Sequence, residues 1–104
     1  MFPDPNLKAA IREALNKPEG PITDEDLAGL TQLDASERGI IDLTGIEYCI
    51  NLQYLHLGWN LISDISPLSN LTNLQWLMLW INQISNISPL SSLTNLQGLW
   101  LQWN

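Results

Sequence analysis

Basic side chains are scarce in this 104-residue chain: Lys8, Arg12, Lys17 and Arg38 stand against eleven carboxylates, for a net charge of −7. Nucleic-acid binding depends on cations that neutralise phosphates, so DNA and RNA are excluded as partners, and anionic membrane surfaces with them. Charge of either sign then stops altogether, since no Asp, Glu, Lys or Arg follows Asp64. A free surface normally mixes both signs, so residues 65–104 are expected to be covered by a partner or to self-associate. No apolar run approaches the roughly 20 residues of a membrane span, and no basic-then-apolar leader follows Met1. Membrane insertion and a signal peptide are therefore not expected. Cys49 is the single cysteine, which excludes an intramolecular disulfide. One histidine and one cysteine cannot supply the four ligands of a zinc site. No metal and no cofactor is expected.

What the chain does have is an internal repeat. Residues 52–73 and 74–95 agree at 15 of 22 positions, and four of the differences fall within nine residues: Tyr54/Trp76, His56/Met78, Gly58/Trp80 and Trp59/Ile81. A partial third copy changes at the same places, to Gly98, Trp100, Gln102 and Trp103. All five tryptophans lie where the repeat varies and none where it is constant. A scaffold is being copied while one set of positions is rewritten, the pattern of a binding module.

The constant positions spell L-x-x-L-x-L-x-x-N: Leu52, Leu55, Leu57 and Asn60; then Leu74, Leu77, Leu79 and Asn82; then Leu96, Leu99, Leu101 and Asn104. This spacing is the signature of a leucine-rich repeat. A degenerate first copy carries Leu30, Leu33 and Ala35, with Arg38 in place of asparagine. Alternation around Leu55 and Leu57 makes a short strand with leucines inward and variable residues outward. Each asparagine is placed to satisfy backbone groups in the turn that follows. Ile62, Ile65, Leu68 and Leu71 return to the core, and Ser66-Pro67 and Ser88-Pro89 read as cap and first residue of short 3₁₀ or helical turns. Cys49 falls at the repeat offset of Leu71 and Leu93, and so reads as a small buried hydrophobe.

Residues 1–29 differ. Asp4-Pro5 starts an amphipathic helix over about 5–16, with Leu7, Ala10, Ile11, Ala14 and Leu15 on one face. Lys17–Pro21 ends it, and Thr23–Asp26 resembles a capping box for a second short helix through Leu27. The organisation is thus an N-terminal helical cap, 1–29, and repeats over 30–51, 52–73, 74–95 and a partial 96–104, in one continuous domain. The fold class is α/β: a solenoid with a short parallel β-sheet on its concave face and short helical turns on its convex face.

The run from Ile62 to Leu74, its echo from Ile84 to Leu96, the helical cap from Asp4 to Leu30 and the segment Leu43–Tyr48 resemble the internalin-like class of bacterial 22-residue leucine-rich repeat proteins. The resemblance implies a curved solenoid that binds other proteins on its strand face and is not an enzyme. It also implies a secreted or cell-surface location, which the chain itself does not signal. The array is much shorter than in internalins and lacks their C-terminal cap, which fits a fragment or an engineered array.

Parallel stacking turns the variable positions into columns: Gln32, Tyr54, Trp76, Gly98; then Asp34, His56, Met78, Trp100; then Ser36, Gly58, Trp80, Gln102; and at the strand exit Glu37, Trp59, Ile81, Trp103. The face grades from acidic beside the cap to aromatic at the far end. The expected binding residues are Tyr54, His56, Trp59, Trp76, Met78, Trp80, Ile81, Trp100 and Trp103, with a protein or peptide as ligand. The alternative is a homo-oligomer, formed through the tryptophan-rich face and the uncapped edge near Leu99 and Leu101. Stacking of a carbohydrate on the rings is a third reading. Asp34, Ser36 and His56 invite a catalytic triad, but no oxyanion donors accompany them, and no catalytic residue is expected. Asn70–Thr72 and Asn86–Ser88 match the glycosylation sequon, a weak three-residue signal.

Overall fold

A computed structural model describes all 104 residues. The chain begins with helix α1 (Pro5–Leu15) and a one-turn helix α2 (Asp24–Ala28), followed by four strands: β1 (Gln32–Asp34), β2 (Tyr54–His56), β3 (Trp76–Met78) and β4 (Gly98–Trp100). The strands form one parallel sheet in chain order, so each coil lies on the one before it. Single 3₁₀ turns at Ile46–Tyr48, Ser66–Leu68 and Ser88–Leu90 form the opposite wall. The register is the 22-residue offset throughout: Leu33 pairs with Leu55, Leu55 with Leu77 and Leu77 with Leu99.

Between the two walls lies one core. Leu33, Leu55 and Leu77 from the strands meet Ile62, Ile65, Leu68 and Leu71 from the returning wall, all essentially inaccessible to water. Cys49 lies in the same core, as its offset to Leu71 and Leu93 predicts. Burial, with a smaller contribution from Glu47, pushes its thiol up to about 12. Leu99 on the last strand, with no coil beyond it, is 39% exposed.

Two asparagine ladders join the coils. Asn60 donates to the Ala35 carbonyl of the preceding coil at 2.9 Å and to its own Leu57 carbonyl at 3.0 Å. Its Oδ1 accepts from the backbone N–H groups of Arg38 and Ile40. Asn82 and Asn104 make the same donor bonds one coil further on each time, their Oδ1 accepting from a single N–H, of Ile62 and Ile84 respectively. These side chains bond to the strand exit just before them and to the preceding coil, not to the turn that follows as the sequence suggests. The reason is geometric: the buried amide satisfies backbone groups of two coils that diverge as the chain leaves the sheet. The second ladder had no sequence-based expectation. Asn51 donates to the Ala28 carbonyl at the end of α2, and Asn73 and Asn95 donate to carbonyls of the coil before, at Ile50 and Thr72.

The 3₁₀ turns are started differently from the sequence reading. Ser66 and Ser88 are the first residues of their turns and make no side-chain cap. The Asp64 and Asn86 side chains, two residues earlier, accept from the N–H groups of Ser66 and Ser88. A carboxylate or amide oxygen two residues upstream closes an Asx turn, which a serine within the helical turn cannot do.

Helix α1 ends one residue earlier than expected, because Asn16 adopts the left-handed conformation that closes the last turn. Asp4 caps its start and does more besides. Its Oδ1 accepts from Asn6 and Leu7, and its Oδ2 accepts from Ile41 and Asp42 of the first coil. One buried carboxylate thereby fixes the helix to the repeats. At the Asn60 offset of the first coil, where no coil precedes, Arg38 stands instead and pairs with Glu13 of α1 at 2.7 Å. Thr23 and Asp26 form the predicted capping box for α2. The Lys17 ammonium, with the Thr23 N–H, holds the Asp26 carboxyl down to about 2.

Candidate functional site

The outward side chains of β1–β4 form the columns that the period predicts. Tyr54, Trp76 and Gly98 are in register, as are Asp34, His56, Met78 and Trp100. Three tryptophans and the histidine make one connected aromatic surface. The Trp76 and Trp100 rings lie 6.3 Å apart and 26° from parallel. Trp100 meets Trp80 edge to face at 6.4 Å, and Trp80 meets His56 at 5.0 Å and 68°. Edge-to-face and offset-stacked pairs are the favoured arrangements of aromatic quadrupoles.

Two glycines make room for these rings. A Cβ on Gly98 would lie 2.6 Å from Trp76 Cε3 and 2.7 Å from Trp100 Cη2. On Gly58 it would lie 2.8 Å from Trp80 Nε1 and 2.9 Å from His56 Cε1. Each ring therefore lies over bare backbone rather than standing off it.

The other expected residues are arranged less uniformly. Met78 occupies its column between His56 and Trp100 but is only 8% exposed. Its sulfur lies 4.0 Å from the Tyr54 hydroxyl. A thin, flexible side chain between bulky neighbours fills the space under them, so Met78 supports the rings from below. Tyr54, Trp80, Trp100 and Ile81 are half-buried, whereas Trp76 is exposed.

Trp59 and Trp103 are exposed too, Trp103 at 76%, and they project from a different backbone. Glu37, Trp59, Ile81 and Trp103 all have positive φ, between 55° and 60°. The whole exit column is left-handed, a conformation uncommon for non-glycine residues and strained for a β-branched one. The sequence gives no glycine or asparagine signal there. The N–H groups of Glu37, Trp59 and Ile81 donate to the Gly58, Trp80 and Gln102 carbonyls of the next coil, and Trp103 takes the same conformation without such a bond.

At the capped end, Ser36 donates its N–H and its hydroxyl to Asp34 Oδ1, the latter at 2.7 Å. This hydroxyl bond lowers the Asp34 carboxyl below its ordinary range against the opposing effect of burial, with further help from the Ser36 N–H, His56 and Arg38. His56 is turned elsewhere, its Nδ1 accepting from the Gly58 N–H at 3.1 Å. The serine, histidine and aspartate are thus neighbours without the serine-to-histidine bond that a nucleophile requires. No cluster of three or more His, Cys, Asp or Glu could hold a metal ion. No helix is long and apolar enough to cross a membrane.

A parallel sheet with one strand per 22-residue coil, a wall of 3₁₀ turns and a helical N-terminal flank defines a leucine-rich repeat solenoid. No family model matches the chain, but individual proteins do. Internalin H of Listeria monocytogenes is 38% identical over 65 residues, 61% of this chain and 12% of its own length. The crystal structure of internalin InlF from the same species superposes with a TM-score of 0.94 at 44% identity, over 96% of this chain and 30% of that one. The functional domain of InlJ from L. monocytogenes, described as including a cysteine ladder, gives a TM-score of 0.88 at 35% identity, over 94% and 22%. This chain is an internalin-like leucine-rich repeat protein. It spans about a third or less of the length of these relatives.

Proposed function

We propose that the chain is a non-enzymatic protein- or peptide-binding module whose contact surface is the aromatic sheet face. The observation that carries this reading is the joined set Trp76, Trp100, Trp80 and His56, built at variable positions of an otherwise constant repeat and seated over Gly58 and Gly98. Rigid aromatic rings bury large area at small entropic cost and dominate binding hot spots. The likeness to internalins supports a protein as the ligand class. Tyr54, Trp59, Ile81 and Trp103 extend the surface at its margins, and Met78 underlies it. Residues 1–29 act as the cap and 30–104 as the recognition array.

The test is a displayed library of peptides and small domains, selected on the intact chain and then challenged with a Trp76→Ser/Trp80→Ser/Trp100→Ser variant. These substitutions remove surface rings, so the circular dichroism of the fold should persist while the selected binders are lost. Binders that hold equally well to the variant would defeat the proposal.

A second reading, self-association through the same face, is favoured by the absence of any charge in residues 65–104, because no like-charge repulsion opposes contact between two such surfaces. Sedimentation velocity separates the two: a monomer at high micromolar concentration excludes the homo-oligomer and leaves the face to a foreign partner.

A further inference from the structure

The permanent charge of the sheet face is of one sign only, and that charge is placed. Its variable columns contain Asp34 and Glu37 and no Lys or Arg, with His56 the one imidazole among them and its Nδ1 accepting from the Gly58 N–H. Arg38, the neighbouring cation, is committed to Glu13 of the cap helix. Asp34 accepts both Ser36 bonds on Oδ1, which leaves Oδ2 without a partner and open to solvent at an exposed residue. From this oxygen the surface continues in one direction across the strands. Asp34 is in register with His56, His56 meets Trp80, and Trp80 meets Trp100. An anion at one end of a line of aromatic faces is complementary to a cation followed by apolar groups.

We infer that the face takes an extended peptide segment bearing an arginine or lysine, held at Asp34 and Glu37, with an aromatic, proline or aliphatic residue further along, laid on Trp80 and Trp100. This rests on the reading of the sheet face as a protein-binding surface and specifies the partner. The spacing follows from geometry. Strands about 4.8 Å apart put β1 roughly 10–14 Å from β3 and β4, and an extended chain advances about 3.3 Å per residue. The basic and apolar residues of the segment are therefore about three or four positions apart. Arginine suits the site best, since its guanidinium pairs with a carboxylate and also stacks on an indole. A second copy of this chain fits poorly, because it too is strongly acidic and offers only four cations, of which Lys17 and Arg38 are already paired.

The experiment uses a random library of linear peptides selected on the intact chain. Individual synthetic hits are then measured by calorimetry against two variants. In the first, Asp34→Asn/Glu37→Gln, asparagine keeps the Oδ1 acceptor for both Ser36 bonds and so preserves the turn. The second is Trp80→Ser/Trp100→Ser. The expected hits carry Arg or Lys three or four residues from an apolar residue. They should weaken roughly fivefold on the charge variant, the scale of an exposed ion pair, and weaken with added salt. Hits without a basic residue, or hits that bind the charge variant undiminished while failing on the tryptophan variant, overturn this inference and leave the aromatic face as the binding surface. Hits indifferent to the tryptophan variant, or a library that yields none, overturn both.

Discussion

Trp76 and Trp100 stand on neighbouring strands with their rings 6.3 Å apart and 26° from parallel, meeting over the backbone of Gly98. The stack exists because Gly98, in register with Trp76 and two residues before Trp100, has no Cβ. Gly98→Ala should therefore disturb both rings and cost about 1–3 kcal/mol, the usual penalty of forcing a methyl into a packed site. Interacting indoles give an exciton couplet in circular dichroism. That couplet should be present in the native chain, change in Gly98→Ala and Trp76→Ser, where the Trp80–Trp100 pair remains, and vanish in Trp100→Ser, since Trp100 belongs to both indole pairs. A couplet unchanged by Gly98→Ala would show that the glycine is not what seats the rings.

The asparagine ladders predict two different costs. Asn82 accepts from Ile62 N–H and donates to the Leu57 and Leu79 carbonyls, all buried. Asn82→Ala leaves several of these groups unsatisfied and should destabilise by about 3 kcal/mol. Asn73 makes a single exposed bond, to the Ile50 carbonyl, and Asn73→Ala should cost about 1 kcal/mol. Urea unfolding of both variants checks the ratio, which matters more than either value.

Ile81 is a β-branched residue held at φ 55°. The left-handed conformation costs a residue with a Cβ roughly 1–2 kcal/mol, whereas asparagine visits it readily. Ile81→Asn should raise the midpoint of thermal unfolding, because relief of strain outweighs the loss of a half-buried side chain. A lowered midpoint would mean that burial of the Ile81 side chain is worth more than the backbone cost.

Asp4 sets an acid limit on stability. Burial raises its carboxyl, but the N–H groups of Asp42, Ile41, Asn6 and Leu7 outweigh burial and hold it below the ordinary 3.8. The unfolded chain therefore takes up the proton first. The stability Asp4 contributes is complete above pH 3.8 and is lost as pH falls through its lower folded value. Asp4→Asn presents an amide to N–H donors that need an acceptor. It should cost about 3 kcal/mol near neutral pH and flatten the loss of stability below pH 4 relative to the native chain.

Cys49 reports on opening. With its thiol buried and pushed up to about 12, it should react with a thiol reagent such as 5,5′-dithiobis(2-nitrobenzoic acid) only as fast as the core opens. The labelling rate should rise with urea in step with unfolding; fast labelling in buffer would place Cys49 in a locally mobile coil.

The period alone was enough to read the register of β1–β4, because a parallel stack of equal coils allows only one alignment. The same logic placed Ile62, Ile65, Leu68 and Cys49 in the core. What escaped was set by contacts between coils rather than by pattern within one. The left-handed exit column carries tryptophan and isoleucine, residues with no preference for that conformation, and Glu37, Trp59 and Ile81 in it bond to the following coil. Met78 occupies its predicted column, yet its depth depends on the size of its neighbours. The bonds from Asp4 to Ile41 and Asp42 join residues far apart in the chain, which no local motif announces. The asparagines at 51, 73 and 95 did recur at the repeat spacing, and that recurrence was the signal available for the second ladder.

The asparagine staples also bear on how such a chain changes length. Each staple joins its own coil to the one before it, and every coil offers the same carbonyls at the same offset. Recombination that adds or removes one whole coil restores every staple, whereas insertion of a single residue within a coil moves its asparagine off target. Copy number is thus free to drift between near-identical repeats, carrying ready-made columns of side chains with it, while the interval of 22 stays locked.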